Sequence, residues 1–283
     1  MGWLRALVAR ALETRGAGFG LVVVALVLLI ALGADLIAPY HPNQPQPAGV
    51  LTTPGPAHWL GTDQLGRDVL SRIIYGTRTS VQAGVVSVGF ALIAGVFIGL
   101  LAGYHGGWMD DALMLVVDAV WSFPTLVLAL AIAATLGPGL TNAMLAIGIV
   151  FTPVFARLVR GQTLSVRERD FVTAARATGA GPGRIMRCHI WPNVTAPIVV
   201  QTSLFVASAI LVEAALSFLG LGIQPPASSW GSMLKVGYQY MQQAPWLSFA
   251  PGAAIFVTVL AFNLLGDGLR RALDPRLWPH GES

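Results

Sequence analysis

Residues 79–103 read TSVQAGVVSVGFALIAGVFIGLLAG, a run that contains no charged side chain. About 20 mostly apolar residues in a helix cross the roughly 30 Å hydrocarbon core of a bilayer, so this run predicts a transmembrane helix. Because rows of small residues let helix backbones approach closely in lipid, the run also predicts helix packing, either within this chain or against a partner subunit or a moving helix. The row has a four-residue spacing and comprises Thr79, Ala83, Ser87, Ala91, Gly95, Gly99 and Gly103.

The rest of the chain has the same apolar character. Hydrophobic residues occupy 55% and charged residues 11% of the 283 positions, and the mean hydropathy is +0.68. Five further apolar stretches are long enough to cross a bilayer: residues 19–38, 111–136, 140–159, 194–219 and 247–265. None of the six alternates with the two-residue period of a barrel strand. The sequence therefore predicts an all-α integral membrane protein with six transmembrane helices.

The distribution of basic residues predicts the orientation, because cytoplasmic loops are enriched in arginine and lysine. With the N terminus inside, thirteen basic residues lie in the cytoplasm and four outside. The predicted segments are a cytoplasmic N terminus (1–18), a first transmembrane helix (19–38), an extracytoplasmic segment (39–78), a core of five helices (79–268) and a cytoplasmic tail (269–283). The first stretch exceeds the 7–15-residue core of a secretory signal, so we expect it to remain as an uncleaved span.

The extracytoplasmic segment has two parts. Residues 40–56 are rich in proline, which favours an extended connection. Residues 61–75 place their apolar side chains on one helical face and predict a short amphipathic helix on the outer membrane surface, capped near Asp63. Such a helix is either a linker that follows the membrane surface or a docking site for a partner.

Several classes of site are excluded by composition. The single lysine, Lys235, precedes Val236, so the phosphate-binding pattern GxxxxGK[ST] does not occur. The single cysteine, Cys188, allows neither an internal disulfide nor a cysteine metal cluster. We therefore expect a chain that is not an enzyme and holds no cofactor or metal, with membrane lipid and no nucleic acid among its partners.

Two acidic residues fall within predicted spans, Asp118 and Glu213. A carboxylate at the bilayer centre costs about 2.5–3.5 kcal/mol on insertion scales, so such residues mark a pathway or a polar pair by default. The alternative is a hydrogen-bonded structural acid, which we favour for Asp118 because it lies near a helix end. We expect no cationic partner for either acid within the bilayer. Pro124 and Pro153 each interrupt a span and predict kinks.

The predicted cytoplasmic segment 161–193 contains two short helices. The first, over 166–178, places Phe171, Ala174, Ala175 and Thr178 on one face and ends at Gly179. The second runs from Pro182 to about residue 189 and ends before a proline. Two helices that project from a membrane bundle in this way predict a surface that inserts into a partner. Their arginines also suit anionic lipid headgroups.

This segment resembles the cytoplasmic coupling loop of ABC importer permeases, whose pattern is Glu-Ala-Ala, three residues, Gly and a later Pro. Ala174, Ala175, Gly179 and Pro192 match it, while Thr173 stands in place of the Glu. GTDQLGRDVLSRIIYG (61–76), LSFLGLGIQPPASSWGSML (216–234) and APWLSFAPG with AFNLLGDGLRRALDPR (within 244–276) narrow the resemblance to the C-type permease of dipeptide, oligopeptide and nickel importers.

The resemblance implies a type I ABC importer permease fold in the prokaryotic inner membrane. It implies a homologous B-type permease, two ABC ATPase subunits that use ATP and Mg, and an extracytoplasmic solute-binding protein that delivers peptide. The residues that it assigns to ATPase coupling are Arg169, Asp170, Phe171, Thr173, Ala174, Ala175, Gly179, Ala180, Arg184 and Pro192.

Other functions remain open at this level. Nickel, glutathione or opine-like solutes are alternative substrates for the same architecture. A different class is an ion-coupled secondary transporter that uses Asp118 and Glu213, although no inverted repeat is visible in the sequence. A membrane scaffold without transport would need neither the two acids nor the coupling loop.

Overall fold

The computed structural model describes residues 15–45 and 49–273, and every regular element within these ranges is a helix. The helices are α1 Arg15–Leu32, α2 Ala34–Ile37, α3 Val69–His105, α4 Gly107–Trp121, α5 Thr125–Leu136, α6 Leu140–Arg167, α7 Asp170–Ala177, α8 Pro182–Ile185, α9 Trp191–Leu219, α10 Trp230–Gln239 and α11 Trp246–Leu273. The all-α fold is confirmed. Most of the predicted N-terminal segment (1–14) and of the C-terminal tail (274–283) lies outside the described residues.

The six predicted spans all fall on helices, but the helices differ in length. Among the described residues, α3, α6, α11 and the helical path from Pro182 to Phe218 are each long and apolar enough to cross a bilayer. A fifth crossing results if α4 and α5 are counted as one bent span, and α1 is a shorter apolar helix. The structure therefore supports four or five crossings by length and composition, where the sequence predicts six.

The bundle is built around α3 and α6, which form its most extensive helix pair. Helix α9 packs against both of them and against α11, and α1 packs on α11. The central core contains Ile147, Phe155, Ile210 and Trp230, all of them almost completely buried. A second apolar cluster lies at the α7 end of the bundle, and a third lies at the opposite end, beside α10.

The small-residue row of α3 lies in the contact with α6 of the same chain. A Cβ atom added at Gly95 would lie 2.5 Å from the Cβ of Phe155, and one at Gly99 would lie 2.5 Å from the carbonyl oxygen of Ala156. Gly103 approaches Thr163 in the same way, at 2.7 Å. No side chain fits at these distances, so the glycines allow the two backbones to touch. The row packs this chain internally.

Helix α3 begins ten residues earlier than the predicted span, and the separate amphipathic helix does not exist. Asp68, in an extended conformation, caps α3 by accepting a hydrogen bond from the backbone N–H of Ser71 at 2.8 Å. No proline interrupts the chain between this cap and residue 79, so the helical hydrogen bonds continue into the span. The predicted cap near Asp63 is therefore wrong. Asp63 lies in the preceding turn, where it accepts from the N–H groups of Leu65 and Arg67.

The predicted third span, 111–136, is broken rather than kinked. Helices α4 and α5 meet at an angle of 91° across residues 122–124. Pro124 lacks a donor and disfavours the helical conformation of Phe123, and its own backbone is extended (φ −56°, ψ 125°). Pro153, in contrast, lies inside the continuous helix α6.

The second short helix of segment 161–193 does not end before Pro192. A π-helical turn, Met186–Ile190, joins α8 directly to α9. The backbone N–H of Trp191 donates to the carbonyl of Met186, five residues back, which shifts the helical register by one residue. Pro192 consequently falls in the first turn of α9, where proline is tolerated. The segment is therefore continuous with the span that follows it.

Candidate coupling site and membrane charges

The projecting segment begins where α6 ends. Arg169 adopts an extended conformation (φ −76°, ψ 150°) and α7 starts at Asp170. The single helix predicted over 166–178 is thus divided at residues 168–169. The carboxylate of Asp170 lies in the first turn of α7, where it stabilises the positive end of the helix dipole.

Gly179 ends α7 in a left-handed conformation, with φ +82°. The Gly179 N–H donates to the carbonyl of Arg176 and the Ala180 N–H donates to that of Ala175, both at 3.0 Å. These bonds satisfy carbonyls at the helix end, and glycine adopts this conformation without the steric cost that a Cβ atom imposes. A Cβ atom at Gly179 would meet no atom within 4 Å, so its requirement for glycine comes from the backbone alone.

Apolar contacts hold the projecting segment against the bundle. Val172 of α7 and Ile185 of α8 are buried in one cluster with Ile190, Val194 and Val166. This cluster joins the short helices to the ends of α6 and α9. Burial of each such side chain contributes roughly 1.5–3 kcal/mol, so α7 is a fixed part of the bundle surface.

The opposite face of α7 forms an open groove of about 350 Å³. The aromatic ring of Phe171 stands at this groove and is 40% exposed. An exposed aromatic side chain in an open groove is typical of a surface that receives a side chain from another protein. The groove residues are Phe171, Ala174, Ala175, Thr178, Gly179, Ala180, Arg184 and His189.

The remaining coupling residues implied by the sequence lie outside this groove. Arg169 and Asp170 form the start of α7, Thr173 is exposed elsewhere on that helix, and Pro192 lies in the first turn of α9. His189 was missed, because the π-helical turn that brings it to the groove has no sequence signal. Its Nδ1 atom is buried and has no hydrogen-bond partner among the described residues.

The expectation that Asp118 lacks a cationic partner is wrong. The guanidinium of Arg157 in α6 donates to Asp118 Oδ1 in α4 at 2.7 Å, and it also lies 4.7 Å from the centre of the Trp121 ring. A second pair joins the same two helices: Arg160 donates to both carboxylate oxygens of Asp110. The spacing of these residues could have indicated the pairs. Arg157 and Arg160 are one helical turn apart in α6, and Asp110 and Asp118 are two turns apart in α4.

Glu213 is completely buried and connects three helices. Its carboxylate accepts a hydrogen bond from Ser217 one turn away in α9 at 2.6 Å and faces the hydroxyl of Ser80 in α3 at 3.5 Å. The Ser80 hydroxyl in turn accepts from the backbone N–H of Trp230, at the start of α10. This arrangement is that of a structural acid enclosed by hydroxyl groups, and no metal-binding cluster of three or more His, Cys, Asp or Glu occurs in the described ranges.

The motif at 61–76 forms a buried polar network at the end of the bundle opposite α7. Asp63 pairs with Arg67 at 2.7 Å and lies 3.4 Å from Arg72. Asp68 contacts the His58 ring at 2.8 Å while it caps α3. The network holds residues 58–68 to the first turn of α3. Composition alone could not show that these charged side chains are buried.

Comparison with protein families agrees with this architecture. The family described as binding-protein-dependent transport system inner membrane component matches residues 95–279, and the N-terminal TM domain of oligopeptide transport permease C matches residues 5–54. The inward-facing MetNI methionine ABC transporter has a similar fold, with a TM-score of 0.59 at 20% identity over 72% of this chain and 97% of that chain.

Curated relatives are similar over almost the whole chain. The dipeptide transport system permease DppC of Escherichia coli K12 is 49% identical over 94% of this chain and 90% of its own length. The di/tripeptide permease DppC of Pseudomonas aeruginosa is 46% identical (94% and 89%), and the glutathione permease GsiD of Pectobacterium atrosepticum is 46% identical (90% and 85%). The resemblance inferred from the sequence is confirmed, and the chain belongs to the family of inner membrane components of binding-protein-dependent transport systems, the permeases of ABC importers.

Proposed function

We propose that this chain is the C-type permease subunit of an ATP-driven peptide importer and forms half of the translocation pathway. The coupling role is carried by one observation, the exposed groove on α7 beside the Gly179 turn. The peptide substrate is supported by relatives at 43–49% identity whose names specify dipeptides or tripeptides. The glutathione permease at 46% identity makes glutathione the second candidate.

The proposed partners are inferred from two features of this chain, the missing ATP-binding pattern and the exposed groove on α7. Without the GxxxxGK[ST] pattern it needs separate ATPase subunits, which bind ATP and Mg and receive α7 in a cleft. A B-type permease completes the pathway, and an extracytoplasmic binding protein docks at the opposite end of the bundle. The excess of arginine on the α7 side supports a cytoplasmic location for α7 and both termini.

Movement at the coupling groove has a direct route into the membrane. The helical path from Pro182 to Phe218 is continuous over 37 residues, or about 55 Å at 1.5 Å per residue. ATP-driven closure of the ATPases would displace α7 and α8, and the shared cluster of Val172, Ile185 and Ile190 would transmit that displacement to α9. A shift in one bistable element can open or close a gate in this way.

The coupling role is tested with Gly179→Val in the complete importer. A valine at φ +82° costs about 1–3 kcal/mol, so the turn should change conformation and α7 should lose its position. We expect uptake and binding-protein-stimulated ATP hydrolysis to be lost while the chain still inserts and co-purifies with the second permease. Gly181→Val adds the same side chain at φ −72°, where no strain arises. Equal loss at both positions, or full transport by Gly179→Val, would contradict the proposed role of this turn.

The subunit composition is tested by purification of the tagged chain from native membranes in mild detergent. A second permease and one or two ATPases should co-purify, with ATP hydrolysis that the loaded binding protein stimulates. A chain that purifies alone and still moves solute in liposomes would instead be a secondary transporter.

A further inference from the structure

The ion pair between Asp118 and Arg157 occupies an unusual place in the membrane. Asp118 is eleven residues from the start of α4, and Arg157 is ten residues from the end of α6, so both lie about 15 Å from the helix ends at 1.5 Å per residue. The ends of α3 and α6 are level there, since Arg167 donates to the Gly103 carbonyl. Asp118 falls inside the apolar stretch 111–136 and Arg157 inside 140–159, so the pair lies within the membrane-spanning parts of the two helices.

The pair is also open to its surroundings. The side chains of Asp118 and Arg157 are 58% and 40% exposed, whereas Asp110 in the neighbouring pair is only 11% exposed. Charged side chains within membrane-spanning segments almost always face a bundle interior or a water-filled cavity, because hydrocarbon does not solvate them. This face of α4 and α6 therefore adjoins water or polar groups.

The two ion pairs differ in how much of their hydrogen-bonding capacity is used. Arg160 and Asp110 form a two-bond pair, which suits a structural connection between helices. Arg157 and Asp118 share a single bond, so within the described part of the chain Oδ2 of Asp118 and most of the five guanidinium N–H donors of Arg157 have no partner. The Trp121 ring supports the guanidinium by a cation–π contact, and Trp121 is 48% exposed.

We propose that Asp118, Arg157 and Trp121 form a binding site in the translocation pathway for the two charged termini of a zwitterionic peptide. Arg157 binds the peptide carboxylate, the free oxygen of Asp118 binds its ammonium group, and Trp121 contacts a peptide side chain. Paired charges of opposite sign suit a short peptide that carries one charge at each end and not a cation alone. This proposal rests on the proposed peptide-import function.

The test measures labelling of Ser122→Cys, one helical turn after Asp118 on the same exposed face, in the detergent-purified complete importer. A positively charged methanethiosulfonate reagent is used, and mass spectrometry distinguishes label at the introduced cysteine from label at Cys188, the chain's natural cysteine, in the same sample. Ile93→Cys, an uncharged position in the apolar helix α3 that is 74% exposed, is the control. We expect Ser122→Cys to react at least about tenfold faster than the control, because only a water-filled site admits a charged reagent.

Peptide specificity is measured by the peptide concentration that halves the Ser122→Cys labelling rate. A simple dipeptide should protect at about tenfold lower concentration than its carboxyl amide or its N-acetyl form, since one charge-assisted hydrogen bond contributes at least about a factor of ten. Arg157→Gln should remove only the preference for the dipeptide over its carboxyl amide. Asp118→Asn should remove only the preference for the dipeptide over its N-acetyl form. Asp110→Asn should change protection by all three ligands equally.

Three results would overturn the proposal: slow labelling of Ser122→Cys equal to that of Ile93→Cys, equal protection by all three ligands, or substitutions that weaken all three equally. Each would mean that lipid or the partner permease covers the pair, or that its role is structural. Binding-protein-stimulated ATP hydrolysis is measured on the same wild-type sample. Its absence would contradict the proposed importer function, whereas its presence with any of the three results contradicts the peptide site alone.

Discussion

Substitution of Gly99 by alanine should separate α3 from α6. The added Cβ would lie 2.5 Å from the carbonyl oxygen of Ala156 and 2.7 Å from the Cβ of Val159, whereas carbon contacts are favourable near 3.5–4.0 Å. The atoms that it meets belong to a backbone and a branched side chain, so neither moves easily. Such overpacking typically costs about 1–3 kcal/mol. We expect a melting temperature several degrees below that of the matched control, measured by scanning fluorimetry of the detergent-purified chain.

The matched control is Gly89→Ala in the same helix, where an added Cβ meets no atom within 4 Å. Both substitutions gain the same helix propensity, about 1 kcal/mol relative to glycine. The difference between their unfolding free energies therefore isolates the overpacking cost and should be about 1–3 kcal/mol in favour of Gly89→Ala. Equal melting temperatures would refute the tight contact between α3 and α6 and reopen the possibility that the small-residue row contacts a partner.

Substitutions at three further residues test the polar contacts by thermal stability in detergent. Asp68→Ala should lower the unfolding free energy by about 2 kcal/mol, because it removes the cap on Ser71; an unchanged melting temperature would contradict this. Asp110→Asn should cost about 1–3 kcal/mol by weakening the bonds from Arg160, and added salt should change the variant less than the wild type. Glu213→Ala should cost about 2–4 kcal/mol because it leaves a cavity and unpaired hydroxyls, whereas E213Q keeps the volume and should cost less than half as much.

The central buried helices illustrate how far periodicity and length can predict this fold. Helix α6 was predicted over 140–159 and extends to Arg167, because its polar last turns continue the helical hydrogen bonds past the apolar run. Helix α3 was predicted from residue 79 and starts at Val69, because the helical hydrogen bonds also include the more polar residues before its apolar run. Apolar runs predict where a chain crosses hydrocarbon, and they say little about where its helices begin and end.

The coupling segment was also predicted only in part. The turn at Gly179 was predicted correctly, since glycine is favoured in the left-handed conformation that ends α7. The π-helical turn that makes α8 continuous with α9, and that brings His189 to the groove, was not predicted. A π turn inserts one residue into a helix and depends on how both flanking segments pack, so the local sequence does not specify it.

The sequence by itself determined that this protein belongs in a membrane, that it is helical and to which family it belongs. These properties follow from local composition and contiguous motifs. Only the tertiary structure decided which charges meet. Asp118 and Arg157 are 39 positions apart, and their contact requires that α4 packs against α6. Ion pairs between helices depend on the relative position and rotation of whole helices, which result from the sum of many packing contacts and are not encoded at either residue.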